Sequence, residues 1–212
     1  MSSRDDILKR VRAGVGKGDF AARRQAAEAL MAGRALGPQP RVGNDLAERF
    51  RAKAEPLAST VDRVGSRLEV PAAVARYLGD EAGLIVVAPD LAGLDWPSAG
   101  LTVEARGAED ADRIGITGCF CAVAETGTLM LLSGPDTPAT VSLLPEIHIA
   151  IVPVARIVAT MEDAFALLRA EKGELPRAVN FISGPSRTGD IEQTIVLGAH
   201  GPCRVHLVLV DQ

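Results

Sequence analysis

The stretch IHIAIVPVARIVATMEDAFALLRAEKG, residues 147–173, decides the fold class. Its first part is a run of branched apolar residues that reads as a strand and a turn, with Pro153 as the break. From Ala159 the apolar spacing becomes helical, and Gly173 closes the helix. The same hand-over recurs on either side. STVDRV (59–64) is a short strand and VPAAVARYLGD (70–80) a helix with Gly79 near its end. GLIVVAPD (83–90) is a buried strand, because four consecutive apolar residues run into a Pro-Asp turn. LTVEA (101–105) is another strand, followed by a short acidic helix over 108–113. ITGCFCAVAETGTLMLLSG (116–134) reads as two strands broken at Glu125-Thr126-Gly127, and AVNFISG and VHLVLVD are the last strands. Strand–helix alternation of this kind predicts an α/β fold, an open, mostly parallel sheet flanked by helices.

The N-terminal third reads differently. Ile7, Leu8 and Val11 recur at helical spacing, and FAARRQAAEALMAG (20–33) is a second helical pattern. GPQPRVG (37–43) is a linker or crossing arm, and helical spacing resumes in DLAERFRAKAEPLA (45–58). The expected organisation is an N-terminal helical region, 1–58, and an α/β domain, 59–212.

Bulk properties narrow the function classes. A chain of 212 residues buries a real core in one sizeable domain. With a net charge of −4 and 3% aromatics it has neither the field nor the stacking platforms for nucleic acid. The charged N-terminus lacks the apolar run of a signal peptide, and no stretch approaches a membrane span. Cys119, Cys121 and Cys203 are an odd number without extracellular context, so a cytoplasmic chain with reduced thiols is expected.

Familiar signatures fail on spacing. Gly184 and Gly189 are separated like the glycines of a phosphate-binding loop, but Asp190 replaces the lysine. GPSRTG is one residue too long for a nucleophile elbow, and no G-x-G-x-x-G follows a strand. Cys119 and Cys121 read as buried small hydrophobes, and His148, His200 and His206 lack ligand spacing, so no metal or cofactor site is evident.

Three polar clusters interrupt the apolar strands. In AETGTL (124–129) Glu125 stands beside Thr126, Gly127 and Thr128, where a carboxylate meets hydroxyls and a permissive backbone. A solvated hairpin turn is the plain alternative. In LPEIHIAIVP, Glu146 and His148 share one strand face, so the acid can orient the imidazole for proton transfer, or both can form a polar rim. In ISGPSRTGDIE, Ser183, Gly184, Ser186, Arg187 and Thr188 concentrate amides, hydroxyls and a guanidinium that suit a small carboxylate or phosphate. Asp190 and Glu192 beside them can bind a hydroxyl or an amine or hold Arg187, and His200 follows in GAHGP.

These residues carry a resemblance. AETGTLML, LLPEIHIAIVP and NFISGPSRTGDIEQTIVLGAHGP resemble the LUD-domain family, in particular its lactate-utilization protein C (LutC/YkgG) branch. The likeness runs in order from about residue 118 to 210, and RDDILKRVRAG is similar to the family's opening helix. Cys119 and Cys121, just before AETGTL, depart from the pattern and leave the motif intact. The resemblance implies a fold like the NagB/RpiA/CoA-transferase superfamily, with a ligand site at loop ends. It further implies a component of an L-lactate to pyruvate oxidation system in which partner proteins carry the iron–sulfur clusters. In that setting this chain is a ligand-binding or accessory subunit, with Glu125 and His148 shaping the site and a homodimer through the N-terminal arm as one arrangement. A CoA-transferase-like acyl transfer through Glu125 and a non-catalytic scaffold are the alternatives.

Overall fold

The computed structural model describes residues 3–15, 19–33, 37–38, 41, 43–81, 83–188 and 196–212. The chain divides into two compact units, Met1–Gln39 and Pro40–Gln212. In the first, α1 (Ser3–Val15) and α2 (Phe20–Gly33) have no buried residue. Asp5 and Asp6 in the first turn of α1 and Arg12 in its last turn complement the helix dipole.

The second unit is built on a six-stranded sheet in the order β1-β12-β7-β4-β2-β3. Its strands are β1 (Ser59–Val64), β2 (Ile85–Val87), β3 (Val103–Ala105), β4 (Ile114–Thr117), β7 (Ile147–Pro153) and β12 (Arg204–Val210). Every pairing in it is parallel, as the strand–helix alternation predicts. A second sheet, β8-β5-β6-β9, contains β5 (Cys121–Val123), β6 (Thr128–Leu132), β8 (Ile157–Val158) and β9 (Val179–Ile182). Two further short strands, β10 (Arg187–Thr188) and β11 (Val196–Leu197), pair antiparallel.

Side-chain size along β7 explains the layering. Ile147, Ile149 and Ile151 fill one face with Val70, Val74 and Leu78 of α4 (Val70–Leu78) and the buried Trp96. Ala150 and Val152 on the other face are small enough for the second sheet to close on it through Ala122, Ala124, Leu129 and Leu131. The outer face of that second sheet, Cys121, Val123 and Met130, is covered by Ala164 and Leu168 of α6 (Met161–Lys172). Thr160 and Asp163 form a capping box that starts α6.

Two helical readings differ from the sequence expectation, and the strand read over 116–124 is divided at Gly118 between the two sheets. Helix α3 (Leu46–Ala54), N-capped by Asp45, buries Ala47, Phe50 and Ala54 in the core between the sheets. An apolar face of that quality belongs with the α/β unit, although the expected boundary lay at 58. No helix forms over 108–113. Arg106 instead grips Asp112 through two hydrogen bonds of 2.6 and 2.9 Å, and Asp112 also accepts the Glu109 N–H. The carboxylate thereby locks an irregular turn that competes with the helix.

Candidate functional site

The AETG and ISGPSR motifs meet in space. The β5–β6 hairpin turns at Glu125–Gly127, where the Gly127 N–H donates to the Val123 carbonyl at 2.9 Å. Thr126 Oγ1 donates to Thr128 Oγ1 at 2.8 Å, and Thr128 Oγ1 lies 2.7 Å from Ser183 Oγ at the end of β9. Both glycines have left-handed backbone, φ 68° at Gly127 and 78° at Gly184. Both are also pressed against one neighbour. A Cβ on Gly127 would lie 2.5 Å from the Ala54 nitrogen, and one on Gly184 would overlap the Leu57 carbonyl oxygen. Arg187, exposed, donates from Nη2 to that same carbonyl at 2.7 Å. The glycines and the guanidinium therefore seat the end of α3 and the 3-10 turn that follows it, Glu55–Leu57.

The other residues of these motifs fall around this junction. Glu125 is half-buried, and its carboxylate has no hydrogen bond or ion pair among the described residues. Ser186 is tied by backbone hydrogen bonds to Pro202 and Gly198, and Thr188 pairs with Val196 in the β10–β11 ribbon. His200 is exposed beyond β11. Asp190 and Glu192 lie outside the described residues. Glu146 is exposed and binds Arg113 at 2.9 Å, so it does not orient His148.

A crevice lies elsewhere, at the ends of the parallel strands. Its volume is about 460 Å³, and it is lined by Asp90, Thr117, Gly118, Cys119, Phe120, Asp136 and Asn180, among others. Its place follows from the topology. From β2 the chain passes to β3 on one side and then returns to β4 on the other side of β2. The connections leaving β2 and β4 thus diverge, which opens a crevice at their carboxyl ends, where ligands bind in open α/β sheets. Asp90 follows β2 and Thr117 ends β4. The hairpin β5–β6 enters the crevice with its open end, Cys119, Phe120, Leu131 and Leu132, and points its Glu125 turn away.

Two features make this crevice chemically specific. The Asp90 side chain is exposed at the crevice, makes no hydrogen bond or ion pair with another side chain among the described residues, and is pushed upward in pKa chiefly by partial desolvation. Its Oδ2 sits 3.1 Å from where a Cβ of Gly118 would stand, so glycine there lets the acid lie over the end of β4. Behind the wall, His148 is fully buried and its ring nitrogen Nε2 lies 2.8 Å from Thr117 Oγ1. Burial lowers the His148 pKa to about 4, so the ring is neutral near pH 7. Desolvation acts on two thiols in the same way, pushing Cys119 up to about 12 and Cys121 to about 11, which keeps both protonated near pH 7.

Arg156 fixes Phe120 in the crevice wall. Its Nε donates to the Phe120 carbonyl at 2.8 Å, its guanidinium lies 4.8 Å from the ring centroid, and its other two nitrogens hold Glu171. Asp90, Thr117 and Gly118 escaped the sequence reading. The signal that finds them is a polar residue just after each buried parallel strand, APD after β2 and ITG at the end of β4, once the strand order is known.

Comparison with known proteins identifies the family and the fold. The LUD domain profile matches residues 47–210. A lactate utilization protein C of Shouchella clausii is 36% identical over 157 residues, 73% of this chain and 67% of that protein. Proteins of the same name from Halalkalibacterium halodurans and Bacillus subtilis are 47% identical over 107 residues and 40% identical over 130. Those two alignments cover 49% and 55% of this chain but only 46% and 54% of the relatives, about half their length. The crystal structure of a DUF162 family protein from Deinococcus radiodurans superposes with a TM-score of 0.61 at 26% identity, covering 81% of this chain and 99% of that one.

Proposed function

Because the chain belongs to the LUD-domain family, we propose that it serves a lactate-utilization system as a ligand-binding subunit without clusters of its own, beside iron–sulfur partner proteins that oxidise L-lactate to pyruvate. The observation that carries the ligand-binding part is the crevice at the carboxyl ends of β2 and β4. It is large enough for a small organic ligand and combines apolar walls with polar and charged side chains that can orient one. The relatives' name, lactate utilization protein C, supports the choice of lactate as the ligand, and pyruvate is its two-electron oxidation product.

Acyl transfer through Glu125 draws less support, since that carboxylate turns away from the crevice at the far end of the hairpin. A thermal-shift titration of the isolated chain with L-lactate and with pyruvate tests the reading. A ligand at 100 times its Kd stabilises the folded state by about 2.7 kcal/mol. For a chain of this size that is a rise of roughly 5–10 °C in Tm. No rise with either acid at saturating concentration removes the ligand-binding role. Co-purification with iron–sulfur proteins of a lactate system tests the partner assignment, and a chain that never associates with them refutes it.

A further inference from the structure

We propose that Thr117 is a fixed hydrogen-bond donor in the crevice, oriented by the buried ring of His148, and that with Asp90 as the facing acceptor it selects a monocarboxylate bearing a neighbouring hydroxyl, a 2-hydroxy acid. This rests on the reading of the crevice as the ligand site.

The orientation follows from counting donors. Thr117 Oγ1 and His148 Nε2 are 2.8 Å apart, and Nδ1 of the same ring is buried with no partner among the described residues. The ring is neutral at physiological pH, so one nitrogen carries a hydrogen and the other a lone pair. With the hydrogen on Nδ1, a buried N–H would be left without an acceptor, an arrangement that folded proteins avoid. With the hydrogen on Nε2, only a bare lone pair is left over. The second tautomer therefore prevails, and His148 donates to Thr117. The Thr117 hydroxyl has no other hydrogen bond among the described residues. Its own hydrogen is then available to a ligand in the crevice that Thr117 lines. His148 has no other exit from the sheet. It pairs with Gly115 of β4 on one side and Val205 of β12 on the other, and Gly115 is closed over by Val141 and Pro145.

Charge sets the ligand class. Asp90, Asp136 and Glu174 line the crevice, and Lys172 is the one cationic side chain among its described lining residues. A polyphosphate or a dicarboxylate would meet more repulsion than attraction there. A single carboxylate can sit on the Thr117 donor, and a hydroxyl two bonds away can donate to Asp90, whose carboxylate is held by no other side chain among the described residues. His148 is a positioning residue in this scheme and does not touch the ligand.

The experiment has two arms. In the first, long-range 1H–15N NMR on the wild-type chain reads the His148 tautomer. A protonated Nε2 is expected, and a protonated Nδ1 overturns the proposal. In the second, calorimetry compares L-lactate, citrate and inorganic pyrophosphate as probes on four variants. Thr117→Val and His148→Leu are expected to weaken L-lactate about tenfold, the loss of one hydrogen bond of roughly 1.4 kcal/mol. Thr117→Ser and His148→Gln, which restore a hydroxyl and an N–H donor, are expected to keep wild-type affinity. Pyrophosphate and citrate are expected to bind no variant. Undiminished L-lactate affinity in a folded Thr117→Val chain, or tighter binding of pyrophosphate than of L-lactate, overturns this inference and leaves the lactate reading standing. A wild-type chain that binds neither L-lactate nor pyruvate overturns both.

Discussion

Replacing Gly184 by alanine separates the packing role of the ISGPSR motif from a ligand-binding one. Gly184 has φ 78°, and its missing Cβ leaves room for the Leu57 carbonyl oxygen. Two costs add. Left-handed backbone at a residue with a Cβ costs about 1–2 kcal/mol. Forcing the 3-10 turn off the strand end is overpacking against backbone, which costs about 1–3 kcal/mol more. A total near 3–4 kcal/mol is therefore expected for Gly184→Ala. Gly100 supplies the control, with φ 75° and nothing within 4 Å of its would-be Cβ, so Gly100→Ala carries only the backbone cost. Urea unfolding of the two variants beside the wild type measures the difference. Equal destabilisation in both would refute the docking of the α3 end on Gly184. A Gly184→Ala chain with full stability but no L-lactate binding would return the motif to ligand recognition.

The remaining predictions concern the crevice and its supports. In Gly115→Ala the new methyl would overlap the Val141 carbonyl and lie 2.8 Å from Pro145 Cγ. The loss of about 1–3 kcal/mol should appear in urea unfolding, with the crevice wall that Ala139 and Ser142 form displaced. Arg187→Ala, whose guanidinium holds the Leu57 carbonyl, should leave L-lactate affinity unchanged in calorimetry. Acid should unfold the chain early. Burial holds His148 and His206 near pKa 4, below the ordinary 6.5. The unfolded chain binds these protons as pH falls past 6.5, while the folded one resists until about 4. Stability is therefore full above that window and declines on acidification, by on the order of 3 kcal/mol per histidine at its lower end. Unfolding midpoints measured at pH 7 and pH 4.5 check the sign.

The parallel sheet was legible because buried parallel strands are apolar on both faces, and STVDRV was bounded correctly by its turn residues. The run ITGCFCAV was harder. Continuous apolar sequence hides the point where the chain leaves one sheet for the other, and Gly118 is that point, with β4 before it and β5 after it. The second sheet was invisible for the same reason, since its pairing partners, Ile182 for Leu129 and Ile157 for Ala122, are distant in sequence. At the site, density of polar residues drew attention to Arg187 and Glu125, yet their neighbourhood is set by the α3 end. Asp90 and Thr117 are single polar residues at strand ends, and only the strand order brings them together. His148 stood out in the sequence, but its partner is Thr117 across the sheet, 31 residues away, and not Glu146.

The most direct test is a crystal structure of the chain soaked with L-lactate at saturating concentration. Density for the acid is expected in the crevice, with its carboxylate on Thr117 Oγ1 and its hydroxyl toward Asp90. Density against Ser186 and Arg187, with the ends of β2 and β4 empty, would contradict it.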